Sequence, residues 1–402
     1  MISVNLNEYD YNLPSEKIAQ YPLSERDSSK VLIYKNGDIN EDLFREIDKY
    51  IPTDSLLVFN NTKVIKARLI FHKDTGARIE IFCLEPLSPG DYALSFGSRE
   101  KVEWKCIIGN LKKWKSGTIK TNFIWNTKNF ELHAEKLNED GDALRIRFSW
   151  NCPGITFGDV IEAAGHIPLP PYLNRPDEEC DSIRYQTIYS MVKGSVAAPT
   201  AGLHFTRHLL DKLYRKGIKS AELTLHIGAG TFQPIKSDNV LEHEMHSEHF
   251  YIPAETIEML LKNLGSIVPV GTTSARTLES LYWLGIKLLH HPETEPDELF
   301  LKQWEAYDLA GSVSPYHSLE ILLLWMQQNK LGSVHAPTRI IIVPGYSFRM
   351  IKGLITNFHL PRSTLLLLIS AWVGDDWKKI YNYALNNNFR FLSYGDGSLL
   401  FR

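Results

Sequence analysis

A chain of 402 residues is too long for one ordinary core, so two or three domains are expected. Hydrophobic residues at 44% and charged residues at 23% are those of a soluble globular protein. The formal net charge of −3 excludes a global basic field, so a nucleic-acid partner would have to be held by a local patch. Cys83, Cys106, Cys152 and Cys180 are widely spaced, match no zinc pattern and read as free thiols in a reducing compartment. The opening MISVNLNEYDYNL has no basic region followed by an apolar core, and the longest apolar candidate, 363–373, is too short to span a bilayer. The expectation is a cytoplasmic protein with no signal peptide and no membrane contact.

In chain order, residues 1–30 end in Glu25-Arg26-Asp27-Ser28-Ser29, either a solvated turn or an arm packed on the catalytic domain. A strand is predicted at 31–34, a short helix over 41–50 ended by Pro52, and a buried strand at 55–59 closed by Asn60-Asn61-Thr62. The two asparagines either cap backbone or touch a ligand. From about 70 to 155, alternating runs at 77–84, 92–96, 102–108, 118–125, 130–135 and 143–148 suggest a small all-β barrel or sandwich inserted in a larger domain. The turn Lys112-Lys113-Trp114-Lys115 within it is either a solvated tip or a contact for a phosphate backbone.

A stiff proline-rich segment occupies 165–172, and 185–187 begins a strand or helix. A helix is predicted over 206–216, with Thr206 as N-cap and Gly217 at the C-cap. A strand at 221–225 runs into His226 and the turn Gly228-Ala229-Gly230-Thr231, which is too short for a dinucleotide fingerprint. After a helix at 253–264 comes a strand at 267–270, the turn Gly271-Thr272-Thr273-Ser274, and a helix starting around Ala275. That turn either presents N–H groups and hydroxyls to an oxygen-rich ligand or is ordinary N-capping. Arg276 and Glu279 are spaced to pair on the helix. Residues 285–338 read as an extra piece with surface histidines at 290–291 and a helix at 319–326. A strand at 340–343, a polar loop at 356–364 carrying His359 and Arg362, an apolar helix at 365–372 and a strand–turn–strand at 391–400 complete the chain.

Histidines recur where this chain turns or a strand ends: His204 in GSVAAPTAGLHFT, His226 after 221–225, His246 close to Glu248, and His359. Catalytic groups favour loops held by a rigid scaffold, which in α/β sheets means the carboxyl ends of strands. No Walker, HExxH or G-x-S-x-G motif is present. The residues alone imply an enzyme with a polar ligand, and name no reaction.

Taken together, PTAGLHFT (199–206), LHIGAGTFQP (225–234), MHSE (245–248), VGTTSARTLES (270–280), PGYSF (344–348) and ITNFHLPRSTL (355–365) resemble the S-adenosylmethionine:tRNA ribosyltransferase-isomerase family of queuosine biosynthesis. The stretches 9–34, 56–69 and 391–400 are similar to that family's two ends. The resemblance implies an α/β catalytic domain (1–69 plus 156–402) with an inserted β-barrel domain (70–155). It implies transfer and isomerisation of the ribosyl group of S-adenosylmethionine onto 7-aminomethyl-7-deazaguanine in the wobble position of a tRNA with a GUN-type anticodon. Epoxyqueuosine would form, adenine and methionine would be released, and no metal is expected. A monomer is expected.

The sulfonium acidifies the adjoining 5′ carbon, so loss of a 5′ proton would give an ylide. Adenine loss, attack by the aminomethyl nitrogen and closure to the epoxide with departure of methionine would follow. Histidine suits these proton transfers, and His204, His226, His246 and His359 are the unranked candidates. Thr272, Thr273, Ser274 and Asn357 would contact ribose or methionine oxygens, and Arg276 or Arg362 the methionine carboxylate. Gly228 and Gly230 would admit a flat base, and Phe205 or Phe232 would stack on a base or face the sulfonium. Thr200, Thr231, Glu248 and Ser363 complete the expected substrate set, with Lys112, Lys113 and Lys115 tracking the anticodon arm. Two departures stand out: 285–338 reads as an expansion, and the family's usual G-W-T-D stretch is replaced by His335-Ala336-Pro337-Thr338. The alternatives are a divergent S-adenosylmethionine-dependent transferase with another acceptor and a non-catalytic tRNA-binding homologue.

Overall fold

The computed structural model describes residues 4–73, 75–140, 143–228, 239–309 and 313–402. Its main sheet grows from aliphatic runs buried on both faces, the pattern of parallel strands covered by helices. Leu56–Asn60 is buried at every position and lies between Lys219–Leu225 and Ile267–Pro269, parallel to both. Glu248–Pro253 and Ser333–Thr338 add two antiparallel strands beyond Lys219–Leu225. On the opposite side a parallel bridge from Val270 to Ile355 brings in Gly353–Asn357, followed by Gly397–Phe401, Lys30–Lys35 and Asp38–Leu43. Four neighbouring strands, Lys219–Leu225, Leu56–Asn60, Ile267–Pro269 and Gly353–Asn357, thus run the same way and finish along one edge.

The helix Thr272–His290 is buried at every residue from Thr272 to Ile286, so it belongs in a core rather than on a surface. Leu278, Leu281, Leu284 and Ile286 join Leu56, Val58, Leu223 and Leu225 in one apolar cluster. Each such aliphatic side chain contributes about 1.5–3 kcal/mol on burial. Helix Pro315–Gln328 packs against it, with the Ser318 hydroxyl donating to the Tyr282 carbonyl at 2.6 Å. Residues 285–338 therefore supply a core helix and an outer strand of the main sheet.

A second, seven-stranded antiparallel sheet runs in the order Gly165–His166, Arg68–His72, Arg78–Ser88, Lys101–Gly109, Ala143–Trp150, Lys128–Asp140, Thr118–Trp125. Arg68–His72 also approaches Thr118–Trp125, so the sheet curls around a core of its own that includes Trp104, Trp114, Phe148 and Phe157. The architecture is mixed α/β with a curled antiparallel sheet. Among the described residues no helix is long and apolar enough to cross a membrane.

Several elements differ from expectation for local reasons. The helix expected over 41–50 is the strand Asp38–Leu43 followed by a 3-10 turn, Phe44–Lys49. Asn36 and Gly37, at φ 51° and 95°, make a tight hairpin that pairs Asp38–Leu43 with Lys30–Lys35. The strand expected at 92–96 is the helix Tyr92–Gly97, capped by Asp91, whose side chain accepts from the Leu94 N–H. Residues 340–343 are buried but belong to no strand: the Ile341 N–H donates to the Gln303 carbonyl and the Val343 N–H to the Tyr307 hydroxyl. The long helix begins at Thr272 rather than Ala275. The end of the chain holds a single strand, Gly397–Phe401, after a series of turns. Residues 185–187 form a turn after the short helix Asp181–Arg184. The helix Arg207–Arg215 matches expectation, with the Thr206 hydroxyl accepting from the Leu209 N–H and Gly217 left-handed at φ 81°.

Candidate active site

A cavity opens where the parallel strands end. Ile227 reaches it beyond Lys219–Leu225, Gly271 to Thr273 beyond Ile267–Pro269, and Asn357 to His359 from the end of Gly353–Asn357. Thr200, in the 3-10 turn Thr200–His204, and Ser363, N-cap of the helix Thr364–Val373, line it too. Asn60 does not reach the cavity. Its Oδ1 accepts from the Leu225 and Thr62 N–H groups while its Nδ2 donates to the Leu225 carbonyl, so it braces backbone at the same edge.

The four expected histidines separate clearly. His359 lines the cavity; its Nε2 lies 2.9 Å from the Thr356 hydroxyl, and its Nδ1 has no hydrogen-bond partner among the described residues. Its own N–H donates to the Tyr381 hydroxyl, and Tyr11 donates to its carbonyl, so the loop backbone is fixed from both sides. Burial lowers its pKa to about 3, and the ring is neutral at physiological pH.

His204 stands one layer behind. Asn357 Nδ2 donates to the Leu392 carbonyl, so its Oδ1 accepts from His204 Nε2–H at 3.1 Å. The bare Nδ1 then accepts from the Ser29 hydroxyl at 2.8 Å, and the ring stacks on Phe44. Burial lowers this pKa to about 4, keeping that neutral tautomer. Both ring nitrogens are committed, so His204 positions Asn357. Ser29→Ala would leave a buried ring nitrogen unpaired at a cost of about 1–3 kcal/mol, seen as a lower urea midpoint with an unchanged slope.

His226 is not part of the cavity lining, although its neighbour Ile227 is. Its Nδ1 contacts the Thr62 hydroxyl at 2.9 Å and its ring meets Tyr92 of the curled sheet's helix at 4.6 Å. Burial first, then His249 and His335, lower its pKa to about 4. Gly194, at φ 153°, lets the chain pass; a Cβ there would sit 2.6 Å from the imidazole. His246 is exposed and lies outside the cavity.

Of the other expected residues, Thr200, Thr272, Thr273, Asn357 and Ser363 line the cavity. The Ser274 hydroxyl donates to the Val270 carbonyl at 2.9 Å and stays inside the helix turn. Arg276 does not pair with Glu279: its Nη1 is 2.5 Å from the Glu248 carboxylate and its Nε donates to the Ile340 carbonyl. Glu279 instead accepts from the Tyr346 hydroxyl and the Arg349 and Met350 N–H groups, while burial raises its pKa to about 7. Arg276 and Glu248 thus form a buried strut rather than a carboxylate clamp. Arg362 is left-handed at φ 52°, its N–H donates to the Tyr9 carbonyl, and it is not part of the lining. Phe205 is core, edge-on to Phe44 and Phe59, and cannot stack on a base. Gly228 is described but off the lining, and Gly230, Thr231 and Phe232 lie outside the described residues.

Reading by motif passed over Tyr172 and Ser393, which close one side through a 2.6 Å hydroxyl–hydroxyl contact, and Thr356 under His359. The proline-rich run that stiffens residues 165–172 was the available signal for Tyr172.

A family described as queuosine biosynthesis protein matches residues 6–400. The chain is 37% identical to the S-adenosylmethionine:tRNA ribosyltransferase-isomerase of a Sulfurihydrogenibium species, over 99% of this chain and 100% of that protein. Identity is 36% to the enzyme so named in Syntrophomonas wolfei, covering 98% and 97%, and 37% to that of Thermosipho africanus, covering 99% and 100%. A crystal structure of S-adenosylmethionine tRNA ribosyltransferase from Thermotoga maritima aligns over 98% of this chain and 99% of its own at 28% identity, with a TM-score of 0.45. Matched almost end to end, the chain belongs to the queuosine biosynthesis protein family.

Proposed function

We propose that this protein is an S-adenosylmethionine:tRNA ribosyltransferase-isomerase. It transfers and isomerises the donor's ribosyl group onto 7-aminomethyl-7-deazaguanine at the wobble position of a GUN-anticodon tRNA, forming epoxyqueuosine and releasing adenine and methionine. The observation that carries this reading is the strand-end cavity, where an uncharged imidazole, His359, meets the hydroxyls of Thr272 and Thr273 and the amide of Asn357. Full-length relatives bearing that enzyme's name support it.

His359 takes the 5′ proton next to the sulfonium. With the Thr356 hydroxyl donating to the Asn357 carbonyl, 3.4 Å away, that hydroxyl accepts Nε2–H and leaves the Nδ1 lone pair for the substrate. Thr272, Thr273 and Asn357 hold ribose or methionine oxygens. The acceptor base sits in an anticodon loop, so it can be splayed out without opening a duplex.

Residues 70–155 act as an inserted domain, a reading supported by their separate core. Lys112, Lys113 and Lys115 are exposed there and would contact the anticodon-arm backbone, whereas Trp114 is buried, donates to the Gly117 carbonyl, and cannot stack. The protein acts as a monomer in the cytoplasm, where tRNA is.

The test is incubation of the purified protein with donor labelled in adenine. Adenine is expected to be released only when tRNA carrying the aminomethyl base is present, with epoxyqueuosine detected by mass spectrometry of the digested tRNA. Release without tRNA, or none with it, would overturn the assignment.

A further inference from the structure

The amino end of the helix Thr272–His290 opens into the cavity without a side-chain cap. Its N-cap is Gly271, at φ 93°, which offers no side-chain acceptor. The first N–H groups of any helix lack an internal partner, and a buried end left so needs one from elsewhere. Thr272 and Thr273 are 6% and 7% exposed, and both line the cavity. Neither hydroxyl has a hydrogen-bond partner among the described residues. Two buried hydroxyls and the positive end of a nineteen-residue helix therefore converge on one spot. The described lining contains no lysine, arginine, aspartate or glutamate, so among the described residues no lining side chain carries a charge that competes with that field. Arg276, the cation nearest in sequence, is taken by Glu248 and Ile340.

We propose that this helix end, with the Thr272 and Thr273 hydroxyls, binds the α-carboxylate of the donor's methionine portion and so sets which way the donor lies. The assignment rests on the donor reading above. The carboxylate is the anionic group of that molecule, and the site supplies what an anion needs: several donors, a favourable dipole and exclusion from water. With the carboxylate held there, the sulfonium and ribose extend toward Asn357 and His359.

Equilibrium binding to the full-length protein of S-adenosylmethionine and of its decarboxylated analogue tests this. The wild type is expected to prefer the carboxylated donor by about tenfold to a hundredfold. The isosteric double variant Thr272→Val/Thr273→Val should narrow that preference to a few-fold by weakening the donor alone, with the analogue unchanged. Equal wild-type affinity for the two ligands would overturn the carboxylate assignment and leave the donor reading standing. Binding of neither would overturn both. Variants that lose tRNA affinity but keep donor affinity would place a nucleotide phosphate there instead. The wild-type comparison needs no substitution, so a poorly folding variant does not rescue the idea.

Discussion

Replacing His359 with glutamine is expected to lower kcat for tRNA-dependent adenine release by about 10²–10⁴-fold while KM for the sulfonium donor stays within a few-fold. The split follows from position. His359 lines the cavity with one ring nitrogen held by Thr356 and the other without a partner among the described residues, which leaves that nitrogen for the reacting carbon rather than for anchoring the donor's oxygens. Glutamine keeps much of the volume and can still bond the Thr356 hydroxyl, which separates lost proton transfer from lost packing. The low basicity of the buried ring does not forbid the step. Taking a proton from beside a sulfonium yields a neutral ylide and an imidazolium, so one positive charge moves within the cavity and none is created. Since burial holds the free-enzyme pKa near 3, no acid limb from His359 is expected between pH 6 and 8. A glutamine variant keeping more than about a tenth of wild-type turnover would remove His359 from the chemistry.

Much of this arrangement was legible in the chain. The strand ends at His226 and Gly271 could be placed because an aliphatic run stops at each, whereas Gly353–Asn357 was missed: the polar loop expected from 356 begins inside that strand, and the aliphatic run at 340–343 drew the strand reading instead. What periodicity could not supply was direction. His204 and His359 both sit in polar turns, yet one is sealed between Ser29 and Asn357 and the other opens on the cavity. That difference is set by residues more than 150 positions away in the chain, since Asn357 lies 153 from His204. The same blindness produced the Arg276–Glu279 pair. Spacing three apart favours a bond on an exposed helix, but this helix is buried all round, so each charge finds its partner on another segment. Phe205 looked like a stacking platform because an aromatic beside polar residues reads as surface until packing is known.

The second large effect is on stability in mild acid. His204, His226 and His359 have folded-state pKa values lowered to about 4, 4 and 3, against an ordinary value of 6.5. As pH falls below about 6.5, the unfolded chain binds three protons that the folded chain refuses, so these groups favour unfolding and the loss continues until about pH 4 to 3. Glu279 acts in the opposite sense. Burial raises its folded pKa to about 7 from 4.5, so between those values the folded state alone holds its proton and gains stability as pH drops. The balance between pH 6.5 and 4.5 is two protons in favour of unfolding, or about 2–3 kcal/mol per pH unit. The lowered pKa values of His243, His249 and His335 have the same sign as those of the three buried rings. Over two pH units this rivals the whole stability of an ordinary domain, about 5–15 kcal/mol. Urea titrations at pH 7.5, 6.5, 5.5 and 4.5 should therefore show midpoints nearly level down to 6.5 and falling steeply below it. In His226→Gln the fall should be shallower by about one proton, because a neutral side chain replaces one buried imidazole. Midpoints that hold level from pH 7.5 to 5 would mean that the three imidazoles are not the dry, neutral rings that the cavity and its supports require.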